Sequence, residues 1–365
     1  MVSDIIILAG GAGTRLWPAS VKGHPKQFMA LSDIAGGSSR SFMSMALERA
    51  LALEPEGEIL VVTNQAQSDL VVDACAALPE AARSKIVVLG EPRSRNTAPA
   101  VALATAWLAA RGRPQARSAL LMTSDHLILP LAAFVEDARK ATALADDDYL
   151  VCMGIRPKGP STGYGYIEAA GVLGAGLSVA SFREKPDVRT AKGFVEAGNY
   201  FWNSGMYVFG LDFIREQLHT HAPAITEAFK TLQGQPVCTV TNAVRVLNTW
   251  EGLAQAYDDT PSVSLDYAVS EHCPRVAMVP ASFEWHDVGS FEELAALFPQ
   301  LDTALAEPQS SGCWVYADVP VVLCGVEDLM VVVKHGCVLV ARKGAGQLVK
   351  QAVETIQAKG LDKLL

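Results

Sequence analysis

The sequence predicts an α/β fold: a Rossmann-like, mostly parallel mixed sheet flanked by helices, then a small C-terminal β-unit and a terminal helix. Three observations carry this. The strands of the first half are apolar along their whole length, helical spacing alternates with them, and the texture changes near Tyr149. Strands that are apolar throughout are buried on both faces, as parallel strands covered by crossover helices must be.

In order, "DIIILAGG" reads as a buried strand running into glycines and "SFMSMALERALAL" as a helix. "EILVVTN" is a strand, "AQSDLVVDACAAL" a helix and "KIVVLGE" a strand. "NTAPAVALATAWLAA" is a helix, and "SALLMTSDHLI" is a strand with polar residues at its carboxyl end. Ligands of such sheets lie outside the carboxyl ends of the strands, so the loops starting at Ala9, Thr63, Glu91 and Ser124 are expected on one rim. Beyond Tyr149, "YLVCMGIRP", "GYGYIEAAG", "LSVASFREKPD" and "YFWNSGMYVFG" are short strands with glycine-rich turns that extend the sheet. A helical stretch follows from Leu211, and "VAMVPASFEWHDVGS" returns to the sheet. The tail reads as strands, "CWVYADVPVVLCGVEDLMVVVKHGCVLVARK", closed by an amphipathic helix in "GQLVKQAVETIQAKGLDKLL". Residues 1–300 are therefore expected as the main domain and 301–365 as the small unit.

Bulk properties exclude several classes. A net charge of −9 argues against a nucleic-acid binder, which usually carries a basic surface. No apolar run approaches a membrane span, and "MVSDIIILAGG" lacks the basic start of a signal peptide. Seven cysteines, an odd number without a C-x-x-C pair, fit free thiols in a reducing cytoplasm better than zinc or disulfides.

The chemistry begins in "LAGGAGTRLWPAS". Gly10, Gly11 and Gly13 at a strand-to-helix turn let backbone N–H groups converge on phosphate oxygens, although a tight turn alone also explains them. The spacing is neither the dinucleotide G-x-G-x-x-G nor a P-loop. Arg15 and Lys26 beyond the loop could neutralise a polyphosphate. Asp125 and Asp287 each follow an apolar strand, and Mg²⁺ prefers a few hard carboxylate oxygens.

Together with "PKQF", the loop resembles the signature of sugar-nucleotide pyrophosphorylases, in the branch that forms GDP-mannose. "EPRSRNTAPA", "TSDHLI", "GYGYIE", "REKPD", "FWNSGMYVF", "SLDYAVSE" and "WHDVGS" extend the resemblance, in family order, from Ile5 to about Ser290. It implies transfer of GMP from GTP to α-D-mannose 1-phosphate, by in-line attack with Mg²⁺ and without a covalent enzyme intermediate. It implies a homodimer, with residues 1–300 catalytic and 301–365 a dimerisation element. Leu8, Ala9, Gly10, Gly11, Gly13, Thr14, Arg15, Lys26, Asn96, Thr97 and Asp125 would face the nucleotide. Gly165, Glu184, Lys185, Asn203 and Asp266 would face the sugar phosphate, and Asp125 and Asp287 the metal. Arg15, Lys26, Asp125, Lys185 and Asp287 would be the catalytic set. Asn96 could equally cap the helix that starts there. Asp266 could orient a lysine or touch the sugar.

Departures from the family pattern are Val21, where an arginine is usual and Lys22 could substitute, and His286, read as a strand-end spectator. Many relatives carry a cupin-type isomerase domain after the transferase, and ending at Leu365 the chain is expected to lack that second activity. The rivals are a relative using UTP or dTTP with a glucose-type phosphate, an NAD-dependent dehydrogenase and a silent regulatory subunit. A dehydrogenase should close its second strand on an acidic residue, whereas "EILVVTN" ends in Thr63 and Asn64.

Overall fold

Eleven strands form the main sheet of the structure, a computed structural model that describes residues 2–11, 13–29, 31, 40–112, 117–299 and 302–365. The boundary expected between 300 and 301 lies outside the described residues. In chain order the first half runs β1 (Asp4–Leu8), α1 (Phe42–Ala52), β2 (Ile59–Asn64), α2 (Ser68–Ala74), α3 (Glu80–Arg83), β3 (Ile86–Glu91), α4 (Thr97–Ala110), β4 (Ser118–Thr123), β5 (Leu127–Leu129), α5 (Leu131–Ala145) and β6 (Leu150–Ile155). The second half adds β7 (Tyr166–Leu173), β8 (Gly176–Arg183), α6 (Val188–Ala197), β9 (Tyr200–Gly210), α7 (Leu211–His221), α8 (Pro223–Phe229), β10 (Gln233–Thr241), β11 (Val244–Glu251), α9 (Leu253–Asp259), β12 (Val276–Pro280), β13 (Glu284–His286) and α10 (Phe291–Leu297). The tail holds β14 (Ala304–Ala306), β15 (Trp314–Ala317), β16 (Val321–Val322), β17 (Leu329–Lys334), β18 (Cys337–Arg342) and α11 (Gly346–Ala358).

The chain divides into two compact units. One comprises Met1–Gly10, Ala46–Ser124 and Ile128–Trp285, the other Gly11–Met45, Asp125–Leu127 and His286–Leu365. In the first, the sheet order is β10-β11-β3-β2-β1-β4-β9-β6-β12-β8-β7. The run from β11 through β3, β2 and β1 to β4 is parallel. Register sets Leu8 beside Val62 and Thr123, and Asn64 beside Glu91, so the carboxyl ends of β1 to β4 share one rim as the apolar strands imply. β9 then enters antiparallel to both β4 and β6 and begins the mixed half. α4 is apolar on almost every side because it is buried on almost every side, with Trp107 donating to the Glu58 carboxylate at 2.8 Å.

One stretch departs from the sequence reading. The residues after Leu211 form helices only to Phe229, and then the β10–β11 hairpin adds the sheet's outer edge. β10 is largely exposed, with Val237 and Val240 open to solvent, so the apolar alternation that marks a strand is missing from it.

The second unit gathers the tail with residues 11–45. β15 pairs parallel with β17, which pairs antiparallel with β18. Trp314, Tyr316, Met330 and Val332 of this sheet pack with Leu16, Met29, Phe42 and Phe291. α11 sets Val349 and Val353 against Trp17, whose indole N–H donates to the Leu364 carbonyl at 2.7 Å. Val315, Ala317 and Val331 pack with Leu323 on the opposite side, so β15 and the middle of β17 are buried on both faces, while β18 leaves alternate residues exposed. Among the described residues no helix is long and apolar enough to cross a membrane.

Candidate active site

The second unit holds the loop that follows the glycines. Gly13 sits at φ +56°, and a β-carbon there would lie 2.7 Å from both Lys26 Cβ and Ser20 Oγ. Neither the backbone angle nor the space admits a side chain. Thr14–Leu16 forms a single 3₁₀ turn that leaves Arg15 exposed, and Lys26–Phe28 forms another that buries Lys26. Gly13, Thr14, Arg15 and Lys26 line a cavity of about 180 Å³ together with Asp125, Asp287, Val288 and Gly289.

Two carboxylates remote in sequence meet here. Lys26 Nζ is 2.9 Å from Asp125 Oδ2 and 3.7 Å from Asp287 Oδ1. His126 Nε2 stands 3.5 Å from Asp287 Oδ1 and 3.8 Å from Asp125 Oδ1. Burial pushes the Asp287 carboxyl up, but the His126 hydrogen bond and the charges of His126, Lys26 and Arg15 outweigh it and hold it well below the usual carboxylate range. The next residue, Val288, is β-branched, fully buried and held at φ +48°, a strained conformation for such a side chain. Gly289 follows, where a β-carbon would come within 3.1 Å of Arg15 Nη1. Ser290 then caps α10 by accepting from the Glu293 N–H, which anchors the segment bearing Asp287.

The donor set suits one Mg²⁺. Both carboxylates already converge on a single cation, the Lys26 ammonium. Among the described residues no group of three or more His, Cys, Asp or Glu side chains could hold an ion by itself. Magnesium commonly takes only one or two carboxylates and leaves its other positions to phosphates and water.

The first unit holds the residues expected to face the sugar phosphate. Asn203 lies on β9, and its Nδ2 donates to Asp266 Oδ1 at 2.6 Å and to Tyr207 Oη at 2.9 Å. Its Oδ1 accepts from the Gly205 N–H at 3.1 Å. Both amide donors are thereby engaged, which leaves acceptor capacity on Oδ1. Asp266, on a π-helical turn, also accepts from the buried Tyr207 hydroxyl, so it orients an asparagine and a tyrosine. Gly165 packs beside this group: a β-carbon there would meet Glu184 Oε2 at 2.4 Å and Asn203 Cβ at 3.5 Å. Glu184 pairs with Lys185 at 2.7 Å, and Lys185 stands exposed at φ +40°. Tyr164 completes the surroundings, its ring 5.0 Å from Trp202 and 5.1 Å from Trp285.

On the rim, Ala9 is held by its N–H to the Val62 carbonyl and by its carbonyl from the Thr63 hydroxyl. Leu8 accepts from the Ser124 N–H, while Gly10 and Gly11 are exposed. Asn96 caps α4 by accepting from the Thr97 N–H, and the Thr97 hydroxyl accepts from the Leu265 N–H at 2.7 Å. Sequence reasoning missed Glu91, the last residue of β3. It is 5% exposed, accepts from the Tyr257 hydroxyl at 3.0 Å, and places Oε2 3.5 Å from where a Gly10 β-carbon would be. It missed His126 and Tyr207 as well. The available signal is position, for Glu91 ends one apolar strand and His126 lies three residues past the end of another.

Burial pushes the Glu91 carboxyl up to about 7, against the lowering effect of the Tyr257 hydroxyl. The unfolded chain loses this proton near the ordinary value of 4.5 while the folded chain keeps it. Stability from this group is therefore complete below about 4.5 and is lost as pH rises towards 7. The loss is expected to reach at least about 1 kcal/mol. Glu91→Gln keeps the acceptor for Tyr257 and should flatten that slope in urea titrations between pH 5 and 7. An unchanged slope in the variant would assign it to another group.

Comparison with known proteins gives the family. The family described as Nucleotidyl transferase matches residues 4–303. The xanthan biosynthesis protein XanB of Xanthomonas campestris pv. campestris is 33% identical over 377 residues, covering 98% of this chain and 74% of its own. The mannose-1-phosphate guanylyltransferase of Escherichia coli is 34% identical over 369 residues, covering 97% of this chain and 73% of its own. A solved structure described as mannose-1-phosphate geranyltransferase from Thermus thermophilus matches with a TM-score of 0.79 at 29% identity, over 98% of this chain and 99% of that one. The matched span takes in both the glycine loop and the two aspartates, and the chain belongs to the nucleotidyl transferase family.

Proposed function

We propose that this enzyme transfers GMP from GTP to α-D-mannose 1-phosphate, forming GDP-mannose and pyrophosphate. The convergence of Asp125 and Asp287 beside Lys26, Arg15 and a glycine loop carries the nucleotidyl-transfer part of the reading. The choice of mannose and guanine rests on the activity named for the Escherichia coli relative.

In this reading a phosphate oxygen of the sugar phosphate attacks the α-phosphorus of GTP, and the bond to the β-phosphate breaks with pyrophosphate leaving. The nucleophile is already an anion, so no base has to remove a proton. What the reaction asks of the protein is position and positive charge. Backbone N–H groups of the glycine loop and the Arg15 guanidinium hold the triphosphate, with Lys26 beside it. Lys185 holds the phosphate of the sugar. Glu184 and Asn203, the latter fixed by Asp266 and Tyr207, meet the sugar hydroxyls. Asp125 and Asp287 would hold Mg²⁺, which supplies charge neutralisation at the phosphates.

Pyrophosphate release measured with GTP, UTP, dTTP and ATP, each against mannose 1-phosphate and glucose 1-phosphate, tests the reading. The highest kcat/KM is expected for GTP with mannose 1-phosphate; a higher value for UTP with glucose 1-phosphate would replace it.

A homodimer using residues 301–365 belongs to the same reading, supported by Val338 and Val340, which stand exposed on one face of β18. Light scattering at micromolar concentration should give twice the chain mass, and a monomer there would remove this part. A cytoplasmic location and the lack of a nucleic-acid partner are also proposed. The net charge of −9 and the buried thiols of Cys75, Cys152 and Cys273 support them.

A further inference from the structure

Lys26 lies in an unusual place for a residue that has only a phosphate to meet. Its side chain is 6% exposed, whereas those of Asp125 and Asp287 are 31% and 32% exposed. The ammonium is thus on the protein side of the carboxylate pair, over the Phe42 ring at 5.5 Å from its centre. One proton is donated to Asp125 Oδ2 at 2.9 Å and another to the Asp287 backbone carbonyl. With Asp287 Oδ1 at 3.7 Å, a single cation stays within ion-pair distance of both acids. Gly13 makes this placement possible, since a β-carbon there would displace the Lys26 stem.

We propose that Lys26 is a resident counter-ion for Asp125 and Asp287, so that the divalent cation enters this pair only as its complex with the nucleoside triphosphate. The inference rests on the reading that these two aspartates hold the metal. Two carboxylates carry a charge of −2, and the ammonium already offsets half of it. A free dication approaching the same oxygens is repelled by an ammonium a few ångströms away, in a setting that screens poorly. A nucleoside triphosphate brings several negative charges with the dication. The complex as a whole is an anion, so its net force on the ammonium is attraction rather than repulsion. Lys26 therefore opposes free metal and favours the complex, which makes the order of binding a consequence of the loop. Removing its charge should strengthen one equilibrium and weaken the other, an opposition that a purely structural lysine would not produce.

Mn²⁺, observed by electron paramagnetic resonance, provides a readout independent of turnover. The unmodified chain should bind free Mn²⁺ weakly and bind Mn²⁺ with GTP at least tenfold more tightly. Lys26→Met, similar in length and uncharged, should bind free Mn²⁺ at least tenfold more tightly than the parent, yet bind the GTP complex more weakly. Lys26→Arg keeps the charge and should stay close to the parent for free Mn²⁺. Tight binding of free Mn²⁺ by the unmodified chain overturns the proposal without any variant, so a misfolded Lys26→Met leaves it exposed to refutation. Asp125→Asn separates the two levels. If it does not weaken Mn²⁺–GTP binding, the metal reading itself fails. If it does, and Lys26→Met gains nothing for free Mn²⁺, only the counter-ion role falls.

Discussion

Asp125→Asn is expected to lower kcat by about 10²-fold or more, the scale of losing a preorganised electrostatic contact at developing charge. Asparagine keeps the size and one oxygen of the side chain but removes the charge. Asp125 lies two residues past the end of β4 and stands 2.9 Å from Lys26 Nζ, so the substitution also leaves that ammonium with the Asp287 side alone. Asp287 remains ionised at neutral pH, because its neighbours hold its carboxyl well below the ordinary range. A single remaining carboxylate can still bind a cation weakly, so residual turnover rather than complete loss is the expected result. Chelation of the parent should abolish turnover and added Mg²⁺ should restore it, with the variant needing a higher concentration for its own maximum. Steady-state kinetics over a magnesium series, with circular dichroism to confirm the fold, measure this. A folded variant with full kcat and an unchanged magnesium requirement removes Asp125 from the proposed centre.

How much of this was readable beforehand follows from where each residue sits. The parallel core announced itself because β1, β2 and β3 are buried almost throughout and carry no alternation to confuse with a solvated strand. Asp125 and Asp287 were legible as acids placed just after strands. That they share one lysine was not, since residues 26, 125 and 287 meet only through tertiary structure. The edge strand β10 stayed hidden because an exposed outer strand has no apolar face to betray it. Strain at Val288 could not be read either, for nothing in valine's chemistry predicts a left-handed backbone. Asn203 shows a subtler gap. An asparagine amide can both donate and accept, whereas here Asp266 and Tyr207 engage both donors. Glu91 was visible as a strand-terminal acid, but its raised pKa depends on burial that only the folded chain reveals.

The proposed division of labour between the cations has its own test. Lys185→Ala should impair use of mannose 1-phosphate and leave binding of GTP–Mg²⁺ nearly intact, and Arg15→Ala should do the reverse. Losing one charge-assisted contact should cost roughly 1.5–3 kcal/mol, about ten- to a hundredfold in affinity where it is expressed in binding. The two side chains belong to different compact units, Lys185 after β8 and Arg15 in the loop beyond the glycines, so neither truncation disturbs the other's local fold. Their settings also differ. Lys185 is exposed and paired with Glu184 at 2.7 Å, and its removal leaves that carboxylate without its 2.7 Å partner, adding repulsion against an incoming sugar phosphate. The Lys185→Ala effect should therefore lie towards the upper end of the range, and Lys185→Ala with Glu184→Gln should recover part of it. Arg15 lines the cavity with Lys26 and both aspartates, where the remaining lysine partly covers its loss. Its effect should lie lower and fall on KM for GTP. A cost realised only in the transition state would appear in kcat instead. Titration of GTP–Mg²⁺ into each folded variant, followed by kinetics in both substrates, separates these outcomes. Should Lys185→Ala lose GTP binding as severely as Arg15→Ala, the assignment of lysine to the sugar phosphate and of the loop to the nucleotide is wrong.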